Sequence, residues 1–598
     1  METKRTFDLL KHTQLLYSDK PDILAGKENG KWIKYNTEEF ANHCNWVSYA
    51  LLSLGVEKGD RIAIIANNRP EWIFTDLGIS QTGAISVPVY PTIGIEEYEY
   101  ILHHAAPKFI FVSDKNLYEK IKPIADRSGN VQDVYSFNAV SGARHFSEIL
   151  KMGKESAGKL QDKLEIIKAG IDTTDVATII YTSGTTGYPK GAMLRHSNLI
   201  SNCIETTHVH PLDKGSKELS FLPLSHILER MMTYHFIYKG IGIYYAENMG
   251  TLMDNMKEVK PAIFVSVPRL LEKIYDGILR KGHELKGIKK LIFSWAVKLG
   301  LRYELHGKNG WFYEKQLELA NKLVFSKWRE AFGGNIKIIV SGGAALQPRL
   351  ARIFWAARIM VIEGYGLTET SPVIAVNNVN KMEVMFGTVG PILKDIQVKI
   401  ANDGEILAKG PNIMAGYYKD EVLTTEVIDA EGWFHTGDVG EMIDGKYLKI
   451  TDRKKELFKL SSGKYIAPQA IENKLKESTL IEQVIVIGSN QKFASAIVMP
   501  NFQNLHNWAA FHQIAFQDNA DLIKIPQVVT KYQHEVEAIN KQLGDFERIK
   551  RFRLVADEWT MQTGELSPTL KLKRNTLHGQ YKELIEEIFS VDKTEGIK

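Results

Sequence analysis

Residues 181–191 read YTSGTTGYPKG and follow directly on the apolar run 176–181. A buried strand is therefore predicted to lead into a loop whose hydroxyl and backbone N–H groups are not covered by bulky side chains. Such a loop can surround a polyphosphate, and Lys190 adds a positive charge. The spacing differs from the P-loop G-x-x-x-x-G-K-[ST], because Pro189 stands where a P-loop begins its helix. A plain Ser/Thr/Gly turn is the alternative interpretation.

Short apolar runs alternate with helix-length segments through the first three-quarters of the chain, a pattern typical of an α/β domain with parallel sheets. The predicted buried strands are 61–66, 84–89, 108–112, 176–181, 262–267, 337–340 and 358–362. Ligands of such sheets bind at the carboxyl ends of the strands. Tyr181, Ser341 and Glu363 stand at or just beyond three of these ends. We therefore expect the loops that follow them to converge.

A chain of 598 residues is too long for one compact core, so more than one domain is expected. Around residue 450 the apolar pattern stops, and TDRKKELFKLSSGK (451–464) is polar and basic, as linkers are. Apolar runs at 483–488 and 494–499, followed by helical sequence, predict a smaller α/β domain. The predicted domains are residues 1–451 and residues 452–598.

Composition and charge exclude several classes of protein. The net charge of +4 is small for this length and does not indicate nucleic-acid binding. The sequence contains no apolar stretch of the roughly 18 residues that a transmembrane helix needs, and METKRTFDLLKHTQ lacks the apolar segment of a signal peptide. Cys44 and Cys203 are far apart, as is typical of a reducing compartment. We therefore expect a cytoplasmic protein.

Residues 280–330 carry twelve Lys or Arg and five Asp or Glu. The apolar residues interleaved with these charges are Leu291, Ile292, Phe293, Trp295, Trp311, Phe312, Phe325 and Trp328. Helices with one basic and one apolar face are typical of membrane surfaces, so this helical insertion predicts a peripheral contact with the inner face of a membrane. The alternative is a solvated charged face that packs on the core through its aromatic residues.

TSGTTGYPKG resembles the phosphate-loop signature of the adenylate-forming (AMP-binding) superfamily, which includes acyl-CoA synthetases, luciferases and the adenylation domains of peptide synthetases. Further stretches resemble superfamily motifs in the expected order: FLPLSHILER (221–230), SGGAAL (341–346), YGLTET (365–370), GWFHTGDVGE (432–441) and TDRKKELFKLSSGKYIAP (451–468). The stretches most similar to the long-chain fatty acyl-CoA synthetase branch are ANNRPEW (66–72), VPVYPT (87–92) and VPRLLEKIY (267–275).

The resemblance implies a large N-terminal domain of several subdomains and a small, mobile C-terminal domain. It also implies a ligase that forms an acyl-adenylate from a fatty acid and Mg·ATP, and then acyl-CoA from coenzyme A. The alternatives are an acyl-CoA ligase for aryl or medium-chain acids, a fatty acyl-AMP ligase that uses a carrier protein, and a non-catalytic lipid-binding or membrane-scaffold protein. The last is disfavoured because Lys190, Glu369, Asp438 and Lys571 are all present. The sequence does not decide between a monomer and a homodimer.

Phosphate and metal binding follow from the charges that the reaction brings together. A carboxylate must approach a polyanion, so the site has to supply positive charge and hydrogen-bond donors. The resemblance assigns the β- and γ-phosphates to Thr182, Ser183, Gly184, Thr185, Thr186, Gly187 and Lys190. Mg²⁺ prefers one or two carboxylates together with phosphate oxygens. The resemblance assigns it to Glu369 and Thr182 and places Thr368 against phosphate, whereas helix capping is the alternative role of Thr368.

The residues that the resemblance assigns to the nucleotide are Gly342, Gly343, Ala344, Tyr365, Gly366, Asp438 and Arg453. The first three have little or no side chain, so a purine can lie against their backbone, and Tyr365 can stack on its other face. The short carboxylate of Asp438 suits both ribose hydroxyls, and Arg453 can donate to the same ribose. Outside this motif, an Asp after Gly is usually only a turn residue.

The residues assigned to catalysis are His226, Lys571, Glu369 and Thr182. His226 stands in the family's position between the acyl pocket and the nucleotide, although a single His is more often a buried core residue. Lys571 corresponds to the lysine that bridges the acyl carboxylate and the α-phosphate. Leu570 replaces the usual glycine before it, which leaves Lys573 as the second candidate. A solvated basic edge is the alternative.

The second half-reaction needs a route for coenzyme A. In the superfamily the small domain turns about one hinge residue, and Lys455 holds that position within the predicted hinge, 452–456. Gly463 corresponds to the residue that lines the channel for the pantetheine arm, where a bare backbone leaves room. Lys459 and Lys464 are the candidate contacts for the intermediate or for the phosphates of coenzyme A.

Overall fold

The computed structural model describes residues 2–182, 188–560, 562–567 and 572–590. The first elements are α1 (Asp8–Leu16), β1 (Leu24–Glu28), β2 (Lys31–Tyr35), α2 (Thr37–Ser53), β3 (Arg61–Ile65), α3 (Pro70–Gln81), β4 (Ile85–Pro88), α4 (Ile95–Ala105), β5 (Phe109–Val112), α5 (Lys115–Ser128), β6 (Asp133–Ser136), β7 (Arg144–His145), α6 (Phe146–Ala169), β8 (Val176–Thr182), β9 (Lys190–Arg195) and α7 (His196–Thr206).

The middle elements are β10 (Lys217–Ser220), α8 (Ile227–Tyr238), β11 (Gly242–Tyr245), α9 (Leu252–Val259), β12 (Ile263–Ser266), α10 (Pro268–His283), α11 (Gly287–Gly300), a 3₁₀ turn (Leu305–Gly307), α12 (Trp311–Ala320), a π-helical turn (Asn321–Phe325), α13 (Ser326–Ala331), β13 (Ile338–Ser341), α14 (Pro348–Ala356), β14 (Met360–Gly366), a 3₁₀ turn (Thr368–Thr370), β15 (Val373–Val376), β16 (Gln397–Ile400), β17 (Glu405–Lys409), β18 (Gly416–Tyr417), α15 (Glu421–Val427), β19 (Phe434–Ile443) and β20 (Tyr447–Arg453).

The last elements are β21 (Phe458–Lys459), β22 (Tyr465–Ile466), α16 (Pro468–Leu475), β23 (Ile481–Ile487), β24 (Ala494–Pro500), α17 (Phe502–Phe511), α18 (Asn519–Leu522), α19 (Pro526–Asn540), β25 (Ile549–Leu554), α20 (Arg574–Gln580) and α21 (Lys582–Ser590).

Two large sheets form the framework of the N-terminal part. One has the strand order β7-β6-β5-β3-β4-β8-β9-β18 and is parallel from β7 to β8, with β9 and β18 antiparallel. The other has the order β2-β1-β11-β10-β12-β13-β14-β15 and is parallel from β1 to β14. A third, antiparallel sheet has the order β16-β17-β19-β20. The predicted α/β class with parallel sheets is confirmed.

The predicted strands differ from the observed strands by one or two residues at most ends. The exception is β14, which continues to Gly366 instead of ending at residue 362. Its last residues pair with the antiparallel strand β15. Because EGYG contains two glycines and no aliphatic residue, the apolar pattern stops before the strand does.

The helices α3 and α8 are buried along almost their whole length. Such burial normally requires a helix that is apolar all round. α8 nevertheless carries Arg230, which forms an ion pair with Asp76 of α3. This ion pair therefore joins two helices at the centre of the molecule.

Residues 451–464 are more ordered than the linker prediction suggested. Thr451–Arg453 belong to β20, which is held by pairing with β19. After a turn, β21 and β22 form a small hairpin. Beyond it, β23, β24 and β25 form one sheet, as the α/β pattern of this part predicted. Polar sequence concealed these strands because an edge strand at the surface needs no apolar run.

The region 280–330 is helical, as expected, and its apolar residues divide into two sets. Phe293, Phe325 and Trp328 are buried in the core, whereas Trp311 and Phe312 are exposed. The buried set confirms that part of this region packs on the core through its aromatic residues, and the membrane contact stays a prediction. None of the helices in the described part of the chain has the length and apolar character that crossing a bilayer requires.

Candidate active site

A cavity of about 2180 Å³ lies where the carboxyl ends of the strands meet the C-terminal elements. The predicted site residues that line it are Thr182, Lys190, His226, Gly342, Gly343, Ala344, Tyr365, Gly366, Thr368, Glu369, Asp438, Arg453 and Lys455. Tyr181, Ser341 and Glu363 also contribute to its wall. The three loops that were expected to converge therefore face one space.

The phosphate-loop residues are held by a β-hairpin. Thr182 at the end of β8 lies opposite Lys190 at the start of β9. A strand follows the loop where a P-loop would have a helix, in agreement with the predicted distinction. Ser183, Gly184, Thr185, Thr186 and Gly187 lie outside the described residues.

Glu369 is connected to Lys190 through a tyrosine that the motif analysis did not identify. The hydroxyl of Tyr417 donates to Oε1 of Glu369 over 2.8 Å. The ammonium of Lys190 lies 5.7 Å from the centre of the Tyr417 ring, which is cation–π distance. β18 pairs with β9 and fixes this arrangement. The stretch GYYKD (416–420) gave no signal that distinguishes Tyr417 from Tyr418.

Among the described residues, no group of three or more His, Cys, Asp and Glu side chains is arranged to hold a metal ion. Glu369 is one carboxylate, and Mg²⁺ that arrives with a triphosphate needs only one or two. The donor set around Glu369 therefore fits a magnesium ion whose other ligands are phosphate oxygens and water.

Two glycines are required by close contacts. A Cβ on Gly366 would lie 1.6 Å from the carbonyl oxygen of Pro372, so this end of β14 can approach its neighbour only as glycine. A Cβ on Gly342 would lie 2.9 Å from a methyl group of Leu228 on α8. The loop of residues 342–344, called the nucleotide loop after its predicted role, thus rests directly on α8.

Asp438 joins Tyr365 and Arg453 at the wall of the cavity. The hydroxyl of Tyr365 donates to Oδ2 of Asp438 over 2.7 Å, and Nε of Arg453 lies 3.2 Å from Oδ1. The pairing of β19 with β20 brings Asp438 opposite Arg453. Burial and the nearby carboxylate of Asp438 raise the pKa of Tyr365, which therefore remains a hydrogen-bond donor.

His226 occupies the N-cap of α8, where its Nδ1 accepts the backbone N–H of Leu228 over 3.2 Å. In the neutral ring, Nε2 therefore carries the hydrogen. The ring lies 6.5 Å from that of Tyr90, which also lines the cavity. His226 therefore caps the N-terminus of α8 and also lines the cavity.

Glu363, at the base of the cavity, is buried, and burial raises the pKa of its carboxyl to about 8. Nothing in its sequence context marked it beyond its position at a strand end.

The C-terminal elements close one side of the cavity. Lys571 lies outside the described residues, but Lys573 lines the cavity. Arg574 holds this segment in place through ion pairs with Glu456, at 2.8 Å, and Glu472, at 2.6 Å. Lys455 lies just after β20 and also lines the cavity.

The structure does not bring the predicted coenzyme A residues to the cavity. Lys459, Gly463 and Lys464 lie on the hairpin of β21 and β22 and are not among the lining residues. Gly463 has a φ of +86°, which favours glycine at this turn whatever its function.

Two family models match the chain. The model described as AMP-binding enzyme matches residues 13–418, and the model described as AMP-binding enzyme C-terminal domain matches residues 455–593. A long-chain-fatty-acid–CoA ligase, FadD15, from Mycobacterium bovis is 32% identical over 96% of this chain and 95% of its own length. Long chain acyl-CoA synthetase 6, peroxisomal, from Arabidopsis thaliana is 32% identical over 94% of this chain and 82% of its own length.

Solved structures share the fold. The adenylation domain of a carboxylate reductase from Mycobacterium chelonae has a TM-score of 0.75 at 20% identity and covers 98% of this chain and 91% of its own. The corresponding domain from Segniliparus rugosus, in complex with AMP and a co-purified carboxylic acid, has a TM-score of 0.73 at 20% identity. It covers 98% of this chain and 94% of its own.

Proposed function

The chain belongs to the AMP-binding enzyme family, and we propose that it is a ligase that activates long-chain fatty acids with ATP and transfers them to coenzyme A. The observation that carries this proposal is the similarity, over nearly the full length, to enzymes named as long-chain fatty acid–CoA ligases. In the first half-reaction, the fatty carboxylate attacks the α-phosphorus, and pyrophosphate leaves. In the second, the thiol of coenzyme A attacks the acyl carbon, and AMP leaves.

The geometry supports separate binding positions for the phosphates, the metal and the ribose along the cavity. Lys190 and the backbone around Thr182 hold the outer phosphates, while Glu369, oriented by Tyr417, provides the carboxylate for Mg²⁺. A magnesium ion held by Glu369 would supply positive charge against the phosphates. Asp438 accepts the ribose hydroxyls, and its ion pair with Arg453 holds it in place.

A lysine from the C-terminal segment neutralises charge between the acyl carboxylate and the α-phosphate. We propose Lys571 for this role, with Lys573 as the second candidate, and a rotation of the residues after 451 about Lys455 between the two half-reactions. That rotation would carry Lys459, Gly463 and Lys464 toward the cavity. Lys571→Ala should abolish adenylation while sparing the reaction of preformed acyl-adenylate with coenzyme A; equal loss of both would exclude Lys571.

The test of the activity is AMP release by the purified protein with Mg·ATP, with and without coenzyme A, across carboxylic acids from acetate to C20. Release that depends on coenzyme A and is greatest with long chains is the expected result. Adenylate formation without turnover of coenzyme A would favour an acyl-AMP ligase. Preference for aryl or shorter acids would change the substrate class, and no release with any acid would favour a non-catalytic protein.

We further propose that α11, α12 and the π-helical turn rest on an anionic membrane surface, from which the substrate enters. Phe312, Leu319 and Leu323 are exposed at helical spacing, with Lys315 and Lys322 beside them. The hydroxyl of Tyr313 donates to the carbonyl of Leu299, which fixes α12 against α11. The exposed apolar residues of this surface are Leu285, Ile288, Leu291, Trp311, Phe312, Leu319 and Leu323.

This proposal predicts that Trp311→Ser/Phe312→Ser reduces the binding of the protein to vesicles containing phosphatidylglycerol by at least about tenfold, because each aromatic contributes roughly 1.5–3 kcal/mol on burial. Phe511→Ser is the matched control, since Phe511 is 83% exposed on a different part of the chain. Co-sedimentation measures the effect. Equal binding of the wild-type protein to neutral vesicles, or of the double variant to anionic vesicles, would contradict the proposal.

A further inference from the structure

The cavity continues beyond the nucleotide loop along one face of α8. Leu228, Met232 and His235 line it at helical spacing. Leu228 touches the nucleotide loop at Gly342, and His235 lies seven residues further on, about 10.5 Å along the helix axis. Carbon–carbon bonds of about 1.5 Å in a zigzag advance about 1.25 Å per carbon, so an acyl chain laid along α8 from Leu228 to His235 would extend over roughly eight or nine carbons.

Two imidazoles meet at the inner end of this path. Nε2 of His210 and Nε2 of His235 are 2.8 Å apart, and both residues line the cavity together with Thr206. All three side chains are buried. A polar cluster is unexpected where an apolar chain should lie, since buried polar groups cost free energy unless they are hydrogen-bonded.

The hydrogen bonds of this cluster fix both tautomers. Nδ1 of His210 accepts the backbone N–H of Leu212 over 3.3 Å, so the hydrogen of the neutral ring is on Nε2. That hydrogen is donated to Nε2 of His235, whose own hydrogen is then on Nδ1 and points to Oγ1 of Thr206 at 3.0 Å. The hydroxyl of Thr206 donates to the backbone carbonyl of Asn202 at 3.0 Å.

Both rings are neutral. Burial lowers the pKa of His210 to about 3, and it lowers the pKa of His235 well below the ordinary value. The ammonium of Lys239 donates to the carbonyl of His210 over 3.0 Å and further disfavours a second positive charge. Each ring nitrogen therefore has a partner within the protein.

We propose that the His210–His235–Thr206 relay is a specificity element that contacts the acyl chain about ten carbons from its carboxylate and excludes chains with a polar group there. A hydroxyl at this position would find no ring nitrogen to pair with, because each nitrogen of the two imidazoles already has a partner within the protein. This inference rests on the proposed acyl-CoA ligase activity. It adds that the preferred substrates are unsubstituted at the depth of the relay.

The test compares kcat/KM for decanoate and 10-hydroxydecanoate in acyl-CoA formation. The wild-type protein should favour decanoate by about 10- to 100-fold, the cost of an unsatisfied buried hydroxyl. His210→Leu leaves Nε2 of His235 as an unpaired acceptor, to which the substrate hydroxyl can donate, so the preference should fall by about tenfold. The double variant His210→Leu/His235→Met removes that acceptor and should restore the preference.

A purely structural role predicts the same ratio of the two rates in all three proteins, and that result would overturn the proposal. His210→Met is the second variant if His210→Leu does not fold; it likewise leaves Nε2 of His235 as an unpaired acceptor and should also reduce the preference. Unchanged preference in His210→Met would again contradict the relay. Absence of acyl-CoA from every acid with the wild-type protein would instead reject the proposed function.

Discussion

Two Arg–Asp pairs in this protein have the same chemistry and opposite surroundings. Arg230 and Asp76 have side chains that are 2% and 1% exposed, whereas those of Arg453 and Asp438 are 42% and 7% exposed. The guanidinium of Arg230 also donates to Thr178 and Tyr234, and the hydroxyl of Tyr234 donates to Asp76. Burial and the number of internal partners, rather than the residue types, distinguish a pair that holds α3 to α8 from a pair that lines the cavity.

The comparison has an energetic consequence. A fully buried ion pair gains little net stability relative to an apolar pair, but the removal of one partner leaves an uncompensated charge in the core. At the wall of a cavity, water reaches the remaining group, so the same removal costs little stability. We therefore expect substitutions in the core pair to lower the stability of the fold, and substitutions in the cavity pair to weaken the use of ATP.

The largest expected effect is that of Arg230→Met, which leaves Asp76 buried without its cation. We expect a loss of about 3–5 kcal/mol in the free energy of unfolding of the part that contains α3 and α8. Urea denaturation followed by tryptophan fluorescence measures it. The double variant Asp76→Leu/Arg230→Met should recover most of the loss, and failure to recover would show that packing, not the orphaned charge, dominates.

Asp438→Asn should have the next largest effect, and it should act on catalysis. The loss of charged hydrogen bonds to ribose should lower kcat/KM for ATP by about 100-fold, or about 2.7 kcal/mol, with less than about 1 kcal/mol lost in stability. Initial rates of AMP release measure it. Glu441→Gln, on the same strand but paired with Lys449 at the surface, is the control. If kcat/KM for ATP were unchanged in Asp438→Asn, Asp438 would not be a contact of the ribose.

The buried carboxyls of Glu218 and Glu229 sharpen the comparison, because among the described residues neither of them has an ion-pair partner. Burial raises the pKa of Glu229 to about 8 and also raises the pKa of Glu218. Between about pH 4.3, where Glu ionises in the unfolded chain, and pH 8, the folded protein keeps protons that the unfolded chain loses. Stability should therefore fall as pH rises, by up to about 1.4 kcal/mol per unit for each carboxyl.

Glu229→Gln should flatten this dependence, as measured by urea midpoints between pH 5 and pH 8. Glu441→Gln should retain it, because Glu441 is exposed. A slope that is identical in the wild-type protein and Glu229→Gln would show that Glu229 is ionised in the folded protein.

The sequence predicted the large sheets well because buried parallel strands are short apolar runs, which are visible without knowledge of the fold. It predicted residues such as Asp438 because they stand in recognisable motifs. The partner of Arg230 could not be predicted, since Asp76 is distant along the chain and lies in a helix with an ordinary apolar pattern.

Other contacts could not be predicted either, because they also join residues that are distant along the chain. Tyr417 reaches Glu369 only because β18 pairs with β9, and neither strand end has a marked pattern. His210 and His235 are 25 residues apart and become a pair only when α8 packs beside the end of α7. Contacts between distant segments depend on packing, whereas strands and motif loops are encoded locally.

Tyr417→Phe should have the smallest effect of the substitutions considered in this comparison. It tests whether the cavity wall tolerates the loss of a hydrogen bond better than the core does. The ring and its contact with Lys190 are retained, and only the hydrogen bond to Glu369 is lost. Because water in the cavity can replace the lost donor, we expect kcat/KM for Mg·ATP to fall only about fivefold, or about 1 kcal/mol.

The Mg²⁺ concentration for half-maximal rate should rise in Tyr417→Phe but not in Tyr418→Phe, the neighbouring control. A loss of several hundredfold would mean that water does not replace the donor, and the wall around Glu369 would then resemble the sealed core at Arg230. An unchanged dependence on Mg²⁺ would mean that Tyr417 does not orient Glu369. A fall in kcat/KM of only about fivefold is the result expected if water replaces the hydrogen bond that Glu369 loses at the wall of the cavity.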